Sequence, residues 1–159
     1  MKKKVLLLVV PTLRLGGQER VAVNTAAIMK DEYDTHLIVF TGSGAVYESP
    51  CDLIDLNAPA VSGKLAKLFN VMKRAVLLGK VKKQLNADFC YSFGSSANYV
   101  NLLAGGTGKR IISIHGYSSI RMSKFAEILH RKADRILCVS KLMTDELEQS
   151  RPSLKEKAV

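Results

Sequence analysis

Val5-Leu6-Leu7-Leu8-Val9-Val10-Pro11-Thr12-Leu13-Arg14-Leu15-Gly16-Gly17-Gln18-Glu19-Arg20 is the stretch that decides how this chain folds. Six successive Val and Leu residues read as a strand buried on both faces, unlike the alternation of a half-exposed sheet. Pro11 ends the strand, because it has no N–H for a ladder. A short loop then reaches a glycine pair, and helical spacing runs from Gln18 to Met29. Strand, loop, glycines and helix in this order aim free backbone N–H groups and a positive helix end above the strand's C-terminal end. Glycine there lets a phosphate approach the backbone with no Cβ in the way. The same pair also serves a tight turn that binds nothing.

Outward from this unit, short apolar runs alternate with helix-period segments. Lys4–Val10, Thr35–Phe40, Leu53–Leu56, Phe89–Tyr91, Arg110–Ile114 and Arg135–Val139 are the expected strands. Gln18–Met29, Lys64–Leu85, Ser96–Leu103, Lys124–Arg131 and Lys141–Gln149 are the expected helices. This is the α/β pattern of a mostly parallel sheet covered by crossover helices. Ala87-Asp88-Phe89-Cys90-Tyr91-Ser92 is echoed by Ala133-Asp134-Arg135-Ile136-Leu137-Cys138-Val139-Ser140, each a basic helix end leading into a strand that finishes at Ser. Two turns built alike point to repeated βα units. After Arg151-Pro152-Ser153 breaks the last helix, Lys155–Val159 reads as the start of a further strand, so a truncated chain is expected.

With 159 residues, 47% apolar and 24% charged, the chain has the size and composition of one globular domain. Its longest apolar run, Val5–Val10, falls far short of the roughly 20 residues of a membrane span. Lys2–Lys4 imitates the start of a signal peptide, but the run is too short and no small-residue cleavage site follows. Cys51, Cys90 and Cys138 are an odd number, read as free thiols of a reducing cytoplasm.

The net charge of +10 comes from 24 basic and 14 acidic residues. Charge alone admits several anionic partners. Its distribution is uneven: Lys64, Lys67, Lys73, Arg74, Lys80, Lys82 and Lys83 lie between Gly63 and Leu85, with no acidic residue. In the same segment Leu65, Leu68, Phe69, Met72, Val76 and Leu85 hold one helical face. One reading has that face cover the sheet and leaves the lysines solvated. The other lays the helix on an anionic membrane, with Lys73, Arg74, Lys80 and Lys83 as the contacts. A nucleic-acid role is not expected, because no aromatics or reader motif accompany the charge.

The loop lacks G-x-G-x-x-G, and the second strand ends Val39-Phe40-Thr41-Gly42 with no acid for a ribose hydroxyl. No G-x-x-x-x-G-K-[ST] occurs either, so dinucleotide and P-loop chemistry are excluded. Ile111-Ile112-Ser113-Ile114-His115-Gly116-Tyr117 places a histidine directly after a strand, in the crevice where open α/β sheets bind ligands. There His115 can donate a hydrogen bond to a substrate hydroxyl or stabilise charge, or it is a loop histidine satisfied by backbone. His36 and His130 read as structural or solvent-facing, and no metal site is expected. In Tyr91-Ser92-Phe93-Gly94-Ser95-Ser96, Ser95 can cap the next helix and Gly94 leaves room beside the crevice. No nucleophile elbow or Ser/His/Asp order is visible.

Together these stretches resemble the GT-B glycosyltransferases, specifically the retaining family numbered four. Leu15-Gly16-Gly17-Gln18-Glu19-Arg20 before an Ala- and Val-rich helix resembles that family's opening. Ala87-Asp88, Ser113-Ile114-His115-Gly116 and Ala133–Ser140 look like its next landmarks, in order. The resemblance spans essentially the whole chain. It implies a Rossmann-like, doubly wound sheet with helices on both faces. It makes residues 1–159 the N-terminal, acceptor-side domain, without the C-terminal domain that holds most of the nucleotide-sugar. The isolated domain is accordingly expected to be inactive.

By resemblance, Gly16 and Gly17 match the loop that approaches the donor diphosphate, and His115 matches the histidine near the transferred sugar. Arg14, Gln18, Phe93, Gly94 and Tyr117, on the same turns, are the accompanying donor- and substrate-binding candidates. Retention by front-face displacement needs no protein nucleophile, no metal and no cofactor; the nucleotide-sugar is itself the donor substrate. The acceptor is expected to be a glycan, a lipid-linked sugar or a cell-surface polymer, met in the cytoplasm or on the inner face of the membrane. A stand-alone module that binds a phosphorylated ligand without catalysis is the alternative, and an oxidoreductase domain a more distant one.

Overall fold

The six apolar runs become six strands, each within a few residues of its expected bounds. The computed structural model describes residues 2–159. Strands β1 (Val5–Val10), β2 (Asp34–Val39), β3 (Asp52–Asp55), β4 (Phe89–Phe93), β5 (Lys109–Ile114) and β6 (Arg135–Cys138) form one sheet, ordered β3-β2-β1-β4-β5-β6. Every pairing is parallel. Helices α1 (Gly17–Met29), α2 (Lys64–Gln84), α3 (Ser95–Leu103), α4 (Tyr117–Ile120), α5 (Lys124–His130) and α6 (Lys141–Ser150) follow the strands in turn. The order reverses between β1 and β4, which makes the sheet doubly wound and opens a crevice above that switch point.

Alternate residues of β1 explain why every position in it is apolar. Leu6, Leu8 and Val10 pack with Ala22 and Ala26 of α1. Val5, Leu7 and Val9 pack on the opposite face with Leu78 of α2 and Ala97 and Val100 of α3. On that second face Ile112, Ile114 and Ile136 continue the core under α5 and α6, through Leu129, Met143 and Leu147. Where a strand was expected from Lys155, a 3-10 stretch (Pro152–Lys157) intervenes, and Ala158 makes a single parallel bridge to Ile136.

The echoed Ala-Asp pairs are strand clamps. The Asp88 N–H donates to the Val5 carbonyl (3.0 Å), while the Val5 N–H donates to the Asp88 carboxylate (2.8 Å). One unit later the Asp134 N–H donates to the Arg110 carbonyl (2.7 Å), and the Arg110 N–H to the Asp134 carboxylate (2.7 Å). Each carboxylate thus takes a backbone donor at the start of the neighbouring strand. A charge-assisted bond of this kind contributes about 1–2 kcal/mol. Asp88→Ala is therefore expected to lower the melting temperature by about 2–8 °C, measurable by calorimetry.

One expectation is overturned. Leu65, Leu68, Phe69, Met72 and Val76 of α2 do not cover the sheet; all five are exposed. The buried face is Arg74, Ala75, Leu78, Gly79 and Lys82, with Val71 and Val81 partly buried beside it. Small residues win that face because the helix lies close to the segment after α3: a Cβ on Gly79 would sit 3.2 Å from the Gly105 backbone. Two of the seven cations of α2 are consequently not solvated. Arg74 is buried, donating from Nε to the Ala58 carbonyl (2.9 Å) with its guanidinium 4.3 Å from the Phe40 ring centre, so it is not a surface contact. Lys82 is fully buried, and burial holds its pKa below the ordinary lysine value.

His36 is buried between Asp34 (3.3 Å) and Asp52 (3.7 Å), and His130 is buried with Nδ1 donating to the Ala126 carbonyl (2.7 Å). Both are structural. The cysteines are free thiols: Cys90 is buried, whereas Cys51 and Cys138 are half-buried. Among the described residues no helix is long and apolar enough to cross a membrane.

Candidate active site

Three strand-to-helix turns meet above the switch point, because β1, β4 and β5 are neighbours and parallel. The first is the glycine loop. Gly16 is the N-cap of α1 in extended backbone, and no side chain caps the first N–H groups of the helix. The Glu19 carboxylate folds back beside Gly16, where a Cβ would collide with it. Gly17 is different: it is exposed, and a Cβ there would meet nothing within 4 Å. The open backbone donors of this turn therefore centre on Gly17.

The second turn is Gly94, the N-cap of α3, at φ 84° and ψ 159°. Only glycine adopts this conformation readily. The side chain of Gln18 lies against Gly94, so that a Cβ would strike its amide oxygen. Gln18 and Gly94 thus join the first two turns across the switch point. Ser95 does not cap α3, because Gly94 occupies the cap position; its hydroxyl instead lies 3.1 Å from that of Ser119 after the third turn. Gly94→Ala is expected to destabilise the domain by about 1–3 kcal/mol through backbone strain, read as a lowered denaturant midpoint.

The third turn carries His115, fixed by a buried polar network. The Ser92 hydroxyl donates to Asn98 Oδ1 (2.8 Å), Asn98 Nδ2 to the Ser113 carbonyl (2.8 Å), and the Ser113 hydroxyl to the Ser92 carbonyl (2.9 Å). Ser113 Oγ also lies 2.8 Å from His115 Nε2. Since the Ser113 proton is committed to Ser92, Oγ accepts from Nε2–H, and Nδ1 keeps a free lone pair. Burial pushes the His115 pKa below its ordinary value, favouring this neutral form. Neutral His115 thus offers an acceptor, not the donor expected from the sequence. The Phe93 ring, fully buried, stands 6.3 Å from the imidazole.

Gln18, Phe93, Gly94 and His115 form one contiguous line beside open Gly17. Arg14 turns elsewhere, donating from Nε to the Ser43 carbonyl (3.2 Å). Tyr117 is exposed on α4 and joins none of these contacts. Lys73, Lys80 and Lys83 are exposed on α2, away from the turns.

Sequence reasoning missed the cavity on the other flank of the glycine loop. It encloses about 530 Å³ between Pro11, Thr12, Arg14, Phe40 and Thr41 on one side and Lys67, Asn70, Val71 and Arg74 of α2 on the other. Its lining has three cations and no carboxylate. The signal lay in Arg74, a long cation set among the small residues Ala75 and Gly79. No three His, Cys, Asp or Glu residues gather as a metal site among the described residues.

A family model described as Glycosyltransferase Family 4 matches residues 15–157. Among solved structures, a glycosyltransferase from Rickettsia africae ESF-5 superposes with TM-score 0.76 at 20% identity, covering 100% of this chain and 42% of that one. HepE from Anabaena, solved with UDP-glucose, gives TM-score 0.65 at 14% identity, covering 98% and 42%. The lipopolysaccharide outer core galactosyltransferase WaaB, in its apo form, gives 0.60 at 14% identity, covering 98% and 44%. These identities show a shared fold, and the chain spans less than half the length of each of these three proteins. Among curated proteins none matches in sequence.

Proposed function

Because the chain belongs to glycosyltransferase family 4, we propose that it is the acceptor-side domain of a retaining transferase that moves a sugar from a nucleotide-sugar to a glycan or lipid-linked acceptor. The observation that carries this is the line from uncapped Gly17 through Gln18 and Gly94 to neutral His115, with an apolar-walled cationic cavity beside it. Backbone N–H groups and the α1 dipole face the position of the donor diphosphate and stabilise the charge that grows there as the sugar departs. Arg14, Lys67 and Arg74 give the acceptor cavity a preference for an anionic partner.

In the proposed reaction the bond from the anomeric carbon to the diphosphate oxygen breaks, and the acceptor oxygen bonds that carbon on the same face. The acceptor proton passes to the departing phosphate, so no protein nucleophile, metal or cofactor takes part. His115 Nδ1 accepts from a hydroxyl of the transferred sugar and orients it. A second domain supplies most of the nucleotide contacts, and the chain on its own turns over nothing. Transfer takes place in the cytoplasm, at the inner membrane face where the acceptor is lipid-linked.

The test is to supply a C-terminal family 4 donor domain, present a panel of nucleotide-sugars beginning with UDP-glucose, and measure nucleotide release. Release that depends on acceptor supports the reading. A thermal shift with sugar phosphates but no release identifies a binding module instead.

A further inference from the structure

The sheet does not need the most apolar face of α2. Leu65, Leu68, Phe69, Met72 and Val76 recur at i, i+3, i+4, i+7 and i+11, with 74%, 60%, 74%, 46% and 56% of their surface exposed. Isolated exposed hydrophobics are ordinary; five in one stripe are an unpartnered face. Residues 59–69, the approach to α2 and its first turns, are exposed at every position, so nothing in the domain covers this end of the helix. Lys64, Lys67, Lys73, Lys80 and Lys83 are exposed along the same helix, and no acidic residue lies between Gly63 and Leu85.

We infer that α2 is a docking helix for an anionic lipid bilayer, with Leu65, Leu68, Phe69, Met72 and Val76 entering the interface and the exposed lysines holding the headgroups. Charge decides the occupant. A second copy of this chain would bring five lysines against five with no carboxylate on either face, whereas an anionic bilayer offers apolar depth and negative charge together. The stripe and the cavity share one helix: Lys67, Asn70, Val71 and Arg74 of α2 line the cavity, with Val61 at its lip. Docking therefore brings the cavity to the headgroup layer, and the acceptor it receives is an anionic, membrane-held molecule. That last step rests on the cavity being the acceptor's seat. Docking itself needs neither donor nor turnover, so a failed transfer assay and failed docking are separate results.

The experiment is co-sedimentation of the 159-residue chain with phosphatidylcholine vesicles and with vesicles containing about one-third phosphatidylglycerol, at low and high salt, alongside light scattering without lipid. Each lysine near the surface strengthens binding about fivefold, so wild type is expected to bind anionic vesicles at least a hundredfold more tightly than neutral ones at low salt. The paired change Leu68→Ser and Phe69→Ser removes apolar side chains exposed on the folded chain, and is expected to weaken binding at both salts with circular dichroism unchanged. Lys73→Glu, Lys80→Glu and Lys83→Glu together are expected to abolish the salt-sensitive part, since screening acts on exposed charges. Wild-type binding no stronger to anionic than to neutral vesicles overturns the proposal. So does undiminished binding by the serine variant. A lipid-free dimer that the serine variant dissociates, without vesicle binding by either protein, assigns the stripe to self-association instead.

Discussion

His115→Ala, in the enzyme completed by its donor domain, is expected to lower kcat by about one to three orders of magnitude, the range for losing one preorganised polar group at a reacting centre. The fold should be nearly indifferent, because the residues that anchor the turn remain: Ser113 still donates to Ser92, and Asn98 to the Ser113 carbonyl. The pH dependence carries more information than the rate. Burial lowers the His115 pKa, so the lone pair on Nδ1 persists below the ordinary imidazole value and is lost only when the ring protonates. Wild-type turnover should therefore hold as pH falls through about 6.5 and drop at a more acid value. The alanine variant should lack that acid limb. Stability follows the same sign: the unfolded ring protonates first, so the domain loses stability as pH falls from the ordinary value towards the folded one. A rate that His115→Ala leaves unchanged would return the histidine to a purely structural role.

Gly17→Val is expected to reduce transfer by about two to three orders of magnitude, comparable to removing a preorganised donor from an anionic transition state. The structure separates this loss from unfolding. A Cβ at Gly17 meets nothing within 4 Å and the backbone there is not left-handed, so valine fits the free protein. The cost arises only when a diphosphate approaches the N–H groups and meets the new side chain. The melting temperature without ligand should stay within a degree or two, while the KM for the donor rises with the fall in kcat. The parallel change at Gly16 is a poorer probe, because a side chain there first has to displace the Glu19 carboxylate.

Strand positions were legible because β1 and its neighbours are buried on both faces, and nothing else in a chain this size demands six successive Val and Leu residues. The Ala-Asp echo was legible as a repeat, but its meaning was not. Asp88 acts on Val5, 83 positions away, and no local pattern reveals that partner. Reading α2 by its bulkiest residues failed for a related reason. Close packing against Gly105 selects Ala75 and Gly79 for the buried face, whereas hydropathy selects Phe69 and Leu68. The polarity of His115 was hidden too: a sequence places an imidazole after a strand, but only the Ser92–Ser113 bond decides which nitrogen keeps its proton. The cavity escaped because its walls come from three separate loops and two helices, each unremarkable alone.

The carboxylate clamps at Asp88 and Asp134 stand where β4 and β6 begin, at the end of the sheet opposite Gly17, Gly94 and His115. The domain is therefore polarised, with one rim tying strands to one another and the other rim left to hold ligands. Loops on the ligand rim can be lengthened, exchanged or grafted while the far rim keeps register. A library that randomises Pro59–Val61 and Thr41–Ser43 to recruit new acceptors would start from a scaffold whose melting point is set elsewhere.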